Sequence, residues 1–182
     1  MAQRFDQVTN RRAIIDRRTL ADALAALEGR DETGLRNAAT ALLKPAFEAG
    51  RIEIARRIEG QPTNGRDAAS AQAFLTDQVL RLIYDFTVQR LYPLNNATSS
   101  ERMVLIAVGG YGRGEMAPYS DVDIAFLTPY KQTGWTEQVI ESMLYTLWDL
   151  GLKVGHSSRS LDEMVRMAKE DLTIRTALLE SR

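Results

Sequence analysis

Two aspartates separated by one residue, Asp121 and Asp123, stand at the start of an apolar run, VDIAFL at residues 122–127. Side chains alternate along a strand, so both carboxylates would point to the same side. Two like charges held close together are unfavourable unless a cation lies between them. Mg²⁺ is commonly held by one or two carboxylates together with substrate phosphates. The pair therefore indicates a magnesium–nucleotide site, and the alternative is a solvated entrance to a strand.

A glycine-rich turn precedes the two aspartates, with Gly109, Gly110, Gly112 and Gly114 within six positions. A backbone without side chains lets a triphosphate approach closely, and its N–H groups can bond phosphate oxygens. Arg113 can add a charge-assisted contact to the same phosphates. We therefore interpret the turn as the triphosphate-binding part of the site. The alternative is a tight turn with a structural role only.

Two common phosphate-binding motifs do not fit this turn. The dinucleotide-binding fingerprint needs G-x-G-x-x-G at the start of a long helix, whereas Gly110 begins a G-x-G-x-G spacing and Pro118 follows shortly afterwards. A P-loop needs a lysine directly after its last glycine, and Arg113 and Glu115 flank Gly114 here. Ser120 can donate its hydroxyl to a phosphate oxygen or cap the turn, and the sequence leaves both roles open.

The surrounding pattern predicts a small sheet with flanking helices, of the α/β (α+β) class, behind a helical N-terminal extension. Residues 1–100 are predicted as the extension and residues 101–182 as the catalytic core. Pro45 is expected to kink or split its helix, and Ser160 to cap a helix that has Glu163 in its first turn. Helices are predicted at 11–28, 32–59, 68–91, 135–150, 161–169 and 171–180, and strands at 103–108, 122–127 and 152–160, the first of them covered on both faces.

Composition excludes several classes of function. The chain has 182 residues, a net charge of −1 and no cysteine, which argues against nucleic-acid partners, disulfides and thiolate metal sites. A single histidine, His156, excludes a multi-histidine metal site within this sequence. No apolar stretch is long enough to cross a bilayer. We therefore expect a cytoplasmic protein that does not interact with membranes.

The segment VGGYGRGEMAPYSDVDIAFL at residues 108–127 resembles the signature of the DNA polymerase beta-type nucleotidyltransferase superfamily. More narrowly, it is similar to the N-terminal catalytic domain of the bifunctional uridylyltransferase/uridylyl-removing enzymes. The similarity continues through LWDLGLKVGHSSRSLDE at 147–163 and DLTIRTALLESR at 171–182. In the helical front, residues 1–100, the agreement is one of general character.

The resemblance implies Mg²⁺-dependent transfer of UMP from UTP to a tyrosine of the PII signalling protein, with release of pyrophosphate. It implies that Asp121 and Asp123 hold the metal and that Gly109, Gly110 and Gly112 line the triphosphate path. The family's uridylyl-removing reaction belongs to a separate histidine-rich domain, so we expect the transferase part alone, with its own C-terminal end incomplete. Two alternatives are a related protein adenylyltransferase and a regulatory module that binds nucleotide without chemistry.

Members of the superfamily usually carry a third carboxylate on a later strand. The predicted third strand contains Lys153, Gly155 and His156 but no acid. Asp149 and Glu180 are the nearest candidates in the sequence. His156 could contact a phosphate, act as the base or be bonded to the surrounding structure.

Overall fold

The computed structural model of the chain describes residue 5, residues 7–28 and residues 31–182. Residues 11–28 form two helices where one was predicted, because the extended Ile15 ends the first and Asp16 caps the second, accepting a hydrogen bond from Thr19 N at 3.3 Å. The first half contains α1 (Arg11–Ile14), α2 (Arg17–Ala25), α3 (Glu32–Gly60) and α4 (Gly65–Phe86), followed by a π-helical turn (Thr87–Leu91) and a 3-10 turn (Ser99–Glu101).

Pro45 lies inside α3, which continues through it from Glu32 to Gly60. The predicted split at this proline is wrong, and the alternative, a kink, stays a prediction. Leu43 and Phe47, on either side of the proline, are each only 1% exposed. Burying these two side chains in the core offsets the backbone hydrogen bond that the proline removes.

The helix α4 forms the centre of the helical half and packs against α2, α3 and α6 (Gly134–Asp149). Its predicted apolar stripe is confirmed, with Leu75 at 0% exposure and Val79 at 1%. Burial extends beyond that stripe, because every residue from Ser70 to Asp77 is buried. A carboxylate therefore lies in the core at Asp77, which is 7% exposed.

The sheet has three strands in the order β1 (Val104–Ala107), β2 (Val122–Thr128) and β3 (Val154–Ser160). The strands β1 and β2 are antiparallel, and β2 and β3 are parallel. A short helix, α5 (Gly109–Gly112), follows β1 at the place where the sequence predicted a turn. The helix α6 provides the crossover from β2 to the parallel strand β3. The predicted α/β class, a small sheet flanked by helices, is confirmed.

The two faces of the sheet have different surroundings. Ile124 and Phe126 of β2 are 2% and 0% exposed and lie on the face that packs against the helices. The opposite face carries Asp123 and Val104, and Val104 is 58% exposed. The prediction that the first strand is covered on both faces is wrong, because an apolar run does not distinguish a strand buried on both faces from one at the edge of a sheet.

The chain returns to the sheet at its last described residue. The helices α7 (Leu161–Glu170) and α8 (Leu172–Leu179) follow β3, and Ser160 caps α7 as predicted, accepting from Glu163 N at 3.2 Å. Arg182 then exchanges two backbone hydrogen bonds with Ala107 of β1, of 2.9 and 3.0 Å. None of the helices described here combines the length and apolar character needed to cross a membrane.

Candidate active site

The Asp123 carboxylate lies between two glycines on neighbouring elements. Asp123 pairs with Gly155 of β3, and a Cβ on Gly155 would stand only 2.3 Å from Asp123 Oδ1. A Cβ on Gly109, the first residue of α5, would be 3.6 Å from Asp123 Oδ2. Gly109 has a φ of 60°, a conformation that side chains disfavour. The carboxylate therefore occupies space that exists because Gly155 lacks a side chain, whereas a Cβ on Gly109 would be in ordinary contact with it.

Asp121 contributes to the charge at this point of the sheet. Asp121 directly precedes β2. The backbone hydrogen bonds between β2 and the chain of β3 begin at the next residue, where Val122 N donates to Lys153 O at 2.8 Å. Partial burial, and then the negative charge of Asp121, raise the pKa of the Asp123 carboxyl. The two carboxylates are therefore close enough to repel each other.

This donor set fits a divalent cation. Carboxylate oxygens are the ligands that Mg²⁺ prefers, and a cation between Asp121 and Asp123 would remove the repulsion that raises the pKa of Asp123. No cluster of three or more histidine, aspartate or glutamate side chains suited to a metal occurs in the described part of the chain. Two carboxylates suffice where substrate phosphates supply the remaining ligands.

The other glycines of the turn have tighter surroundings. Gly110 O accepts from Glu115 N at 2.9 Å, and a Cβ on Gly110 would lie 3.1 Å from Glu115 O. Gly112 is buried, and its N–H donates to Val108 O at 2.9 Å. That amide is therefore engaged within the turn, whereas the amides of Gly109 and Gly110 lie in the first turn of α5, where no helical carbonyl precedes them.

Gly112 was predicted to line the triphosphate path, and the structure shows that it also allows two backbone segments to pack closely. A Cβ on Gly112 would lie 2.4 Å from Glu180 O and 2.8 Å from Ala107 O. We expect Gly112→Ala to lower the free energy of unfolding by about 2 kcal/mol, because backbone atoms on both sides would have to move. Urea denaturation of this variant beside Gly60→Ala, whose Cβ would meet nothing within 4 Å, measures the effect. An unchanged unfolding midpoint would contradict it.

Arg113 and Ser120, the two predicted phosphate contacts, differ in their surroundings. The Arg113 guanidinium forms ion pairs with Glu180, at 2.8 Å, and with Glu115, at 3.5 Å. Arg113 would therefore have to exchange these partners to bind a phosphate. Ser120 is exposed and follows Tyr119, which has a φ of 65° and an Arg51 guanidinium 4.2 Å from its ring centre.

A buried polar cluster beneath the glycine turn was missed by the sequence analysis. Tyr111 Oη donates to Asp77 Oδ1 at 2.7 Å, and Arg182 Nη2 donates to the same oxygen at 2.8 Å. Burial, followed by the charge of Asp77, raises the pKa of Tyr111 well above its ordinary value. The cluster joins α4, α5 and the last described residue of the chain. A single aspartate in the apolar segment AFLTDQVL, residues 73–80, was the signal in the sequence.

We expect Asp77→Ala to lower the free energy of unfolding by about 3 kcal/mol, because Arg182 and Tyr111 would lose a shared buried partner. Thermal or urea unfolding followed by circular dichroism measures this loss. Asp67→Ala, at an exposed position of the same helix, is the matched control and should change stability by less than about 1 kcal/mol. Equal losses in the two variants would show that the cluster does not stabilise the fold.

The candidates for a third carboxylate and a base have other partners or surroundings. Glu180 pairs with Arg113, and Asp149 is exposed at the end of α6, where its backbone oxygen accepts from Lys44 Nζ at 3.1 Å. His156 pairs with Ile124 in the sheet register, so its side chain lies on the face opposite Asp123. Its ring contacts that of Trp148 edge-on, with centroids 6.5 Å apart. This placement favours a structural role for His156.

Comparison with known proteins shows what the chain around this site is similar to. Residues 96–180 match the family model described as a nucleotidyltransferase domain. The chain is similar to proteins named bifunctional uridylyltransferase/uridylyl-removing enzyme. It is 60% identical to the one from Novosphingobium aromaticivorans and 54% identical to the one from Erythrobacter litoralis, each over 97% of this chain and 19% of the relative. The relative from Azospirillum brasilense is 50% identical over 96% of this chain and 19% of the relative.

These matches extend the resemblance beyond the part predicted from the motifs. The identity covers 176 residues for the first two relatives, so the helical front is also similar in sequence and not only in general character. The chain spans about a fifth of the length of the curated relatives it matches, 19% for each of these three. Residues 96–180 are therefore similar to a nucleotidyltransferase domain, within a chain that is similar over nearly its whole length to part of the bifunctional uridylyltransferase/uridylyl-removing enzymes.

Proposed function

We propose that this chain transfers UMP from UTP to a tyrosine of the PII signalling protein in a Mg²⁺-dependent reaction that releases pyrophosphate, in the cytoplasm. The observation that carries the proposal is the Asp121–Asp123 pair, with the Asp123 carboxylate fitted between Gly109 and Gly155. The names of the similar proteins support uridylyl transfer as the chemistry. We also propose residues 101–182 as the catalytic core and residues 1–100 as a helical N-terminal extension.

In the proposed reaction, the tyrosine hydroxyl loses its proton to water and its oxygen forms a bond to the α-phosphorus of UTP. The bond from that phosphorus to the bridging oxygen breaks. Pyrophosphate leaves with the electron pair. When bound by Asp121 and Asp123, Mg²⁺ would neutralise charge on the phosphates and on the attacking and leaving oxygens. The rigid strand β2 fixes the direction of Asp123, and Gly155 keeps the space for its carboxylate.

The glycine turn binds the triphosphate in this proposal. Gly109 and Gly110 let the phosphates approach the backbone, while Gly112 packs the turn onto the chain beneath it. Arg113 and Ser120 are the side chains that would contact phosphate oxygens, Arg113 after leaving Glu180. The buried Tyr111 hydroxyl bonds Asp77 and so fixes the turn to α4.

The decisive experiment supplies the chain with Mg²⁺, PII protein and nucleotide labelled at the α-phosphorus. We expect label from UTP to appear on PII, and to be absent when the acceptor tyrosine of PII is replaced with phenylalanine. Label from ATP in preference to UTP would instead support a protein adenylyltransferase. Mg²⁺-dependent UTP binding without any transfer would support the regulatory module and contradict the proposed activity.

A further inference from the structure

We propose that the free edge of β3 binds an extended, basic segment of the protein acceptor, which adds to the sheet as a further strand and presents its hydroxyl group to Asp123. The inference rests on the proposed function, since it concerns the macromolecule that receives the nucleotidyl group. Addition of a peptide strand to an exposed sheet edge is a recurrent mode of recognition, in which backbone hydrogen bonds supply affinity.

The backbone of β3 has hydrogen-bonding groups directed away from the sheet. The strand pairs with β2 on one side, and within the described residues no strand pairs with its other side. Lys153 O accepts from Val122 N of the β2 chain, so Gly155 and Ser157 also face β2, because alternate residues of a parallel strand bond the same neighbour. The N–H and C=O groups of His156 and Ser158 therefore face the open edge, where an added strand would bond them.

The open edge lies one strand away from the candidate metal ligand. Asp123 pairs with Gly155, and its Oδ1 lies above that glycine, 2.3 Å from the position a Cβ would take. An added strand would lie two strand spacings, about 10 Å, from β2. Every second side chain of that strand would share the sheet face of Asp123. Because Gly155 has no side chain, nothing on β3 separates such a side chain from the carboxylate at this position.

The other sheet face supplies a groove for the alternate side chains. A cavity of about 400 Å³ lies between α6 and β3, and its lining includes Glu137, Glu141, Tyr145, Trp148 and His156. Both glutamates are exposed, and no lysine or arginine lines the cavity. This charge selects a basic side chain, whose stem the exposed Tyr145 and Trp148 rings can cover.

Successive side chains of the acceptor segment are therefore expected to contact opposite faces of the sheet. One side chain carries the hydroxyl to the Asp123 face, and a neighbouring basic side chain enters the groove beside α6. The ring of Tyr145 is already fixed by the Arg36 guanidinium, 5.4 Å from its centroid, and that of Trp148 by contacts with Tyr145 and His156. The groove is thus preformed, which lowers the entropy cost of docking.

Amide hydrogen exchange on this chain, with and without PII protein, tests the docking mode. We expect the amides of His156 and Ser158 to exchange at least about tenfold more slowly when PII is present. The amides of Gly155 and Ser157, already bonded towards β2, are the internal control and should change little. Unchanged exchange at His156 and Ser158 while PII is being labelled with UMP would overturn the docking proposal and leave the proposed function standing.

A charge reversal in the groove provides a second, independent test. Glu141→Lys should raise the KM for PII by about tenfold and leave UTP binding unchanged. Glu59→Lys makes the same charge change at an exposed position of α3 and should leave both quantities unchanged. An unaltered KM in Glu141→Lys would overturn the groove's role.

Slowed exchange at His156 and Ser158 without UMP transfer would instead contradict the proposed activity and support the docking surface. Absence of any effect of PII on exchange, together with absence of transfer, would overturn both.

Discussion

Asp123→Asn is expected to lower the rate of UMP transfer by about 1000-fold, because asparagine keeps the shape of the side chain and removes the charge that would hold the metal. The same variant should be at least as stable as the original chain. Burial and the neighbouring charge of Asp121 raise the pKa of Asp123, so the charged form is less favourable in the folded chain than in the unfolded one. Loss of activity without loss of stability is the pattern of a residue kept for chemistry.

The measurement combines label transfer from UTP with thermal unfolding in the absence of divalent cations. Asp22→Asn, at an exposed position of α2, is the matched control and should leave both unchanged. Added Mg²⁺ with UTP should raise the unfolding temperature of the original chain and should do so less in Asp123→Asn, since a ligand stabilises only the state that binds it. Transfer within tenfold of the original rate would exclude Asp123 as a metal ligand.

Local patterns were sufficient to predict most of the elements. The spacing of Leu75, Val79 and Leu82 predicts α4, and the hydroxyl of Ser160 at the start of α7 predicts a cap that the structure confirms. These features depend on neighbours within about one turn, which the sequence displays directly. Local patterns do not predict which faces of a strand are covered. The apolar residues of segment 103–108 identify a strand but do not reveal that Val104 is exposed on the open face of the sheet.

The sequence was sufficient to predict the charged residues of the candidate site, but not the residues that surround and contact them. Asp121 and Asp123 stand out by their spacing, whereas the function of Gly155 depends on the register that places it beside Asp123. Pairing of Arg113 with Glu180, and of Asp77 with Arg182, likewise joins residues far apart in the sequence. Such contacts are set by the packing of the whole fold, so a single sequence without the structure gives no signal for them.

Gly155→Ala is expected to lower the rate of UMP transfer by about 100-fold, although residue 155 has no functional group. The added Cβ would stand 2.3 Å from Asp123 Oδ1, well inside van der Waals contact, so the carboxylate must turn away or the strands must separate. Affinity for Mg²⁺, measured by titration calorimetry, should fall by about tenfold or more because the ligand is displaced. Gly134→Ala is the matched control, since a Cβ there would meet nothing within 4 Å.

A double-mutant cycle separates this displacement from a general weakening of the sheet. If the Cβ acts by colliding with the carboxylate, Gly155→Ala should cost about 1 kcal/mol of stability in the original chain, where the carboxylate has to turn away, and much less in an Asp123→Ala background, where the collision partner is absent. The coupling free energy between the two positions should then be of the same size as the cost itself. Equal costs in both backgrounds would mean that the strand resists any side chain at position 155, and the carboxylate would not be what the glycine accommodates.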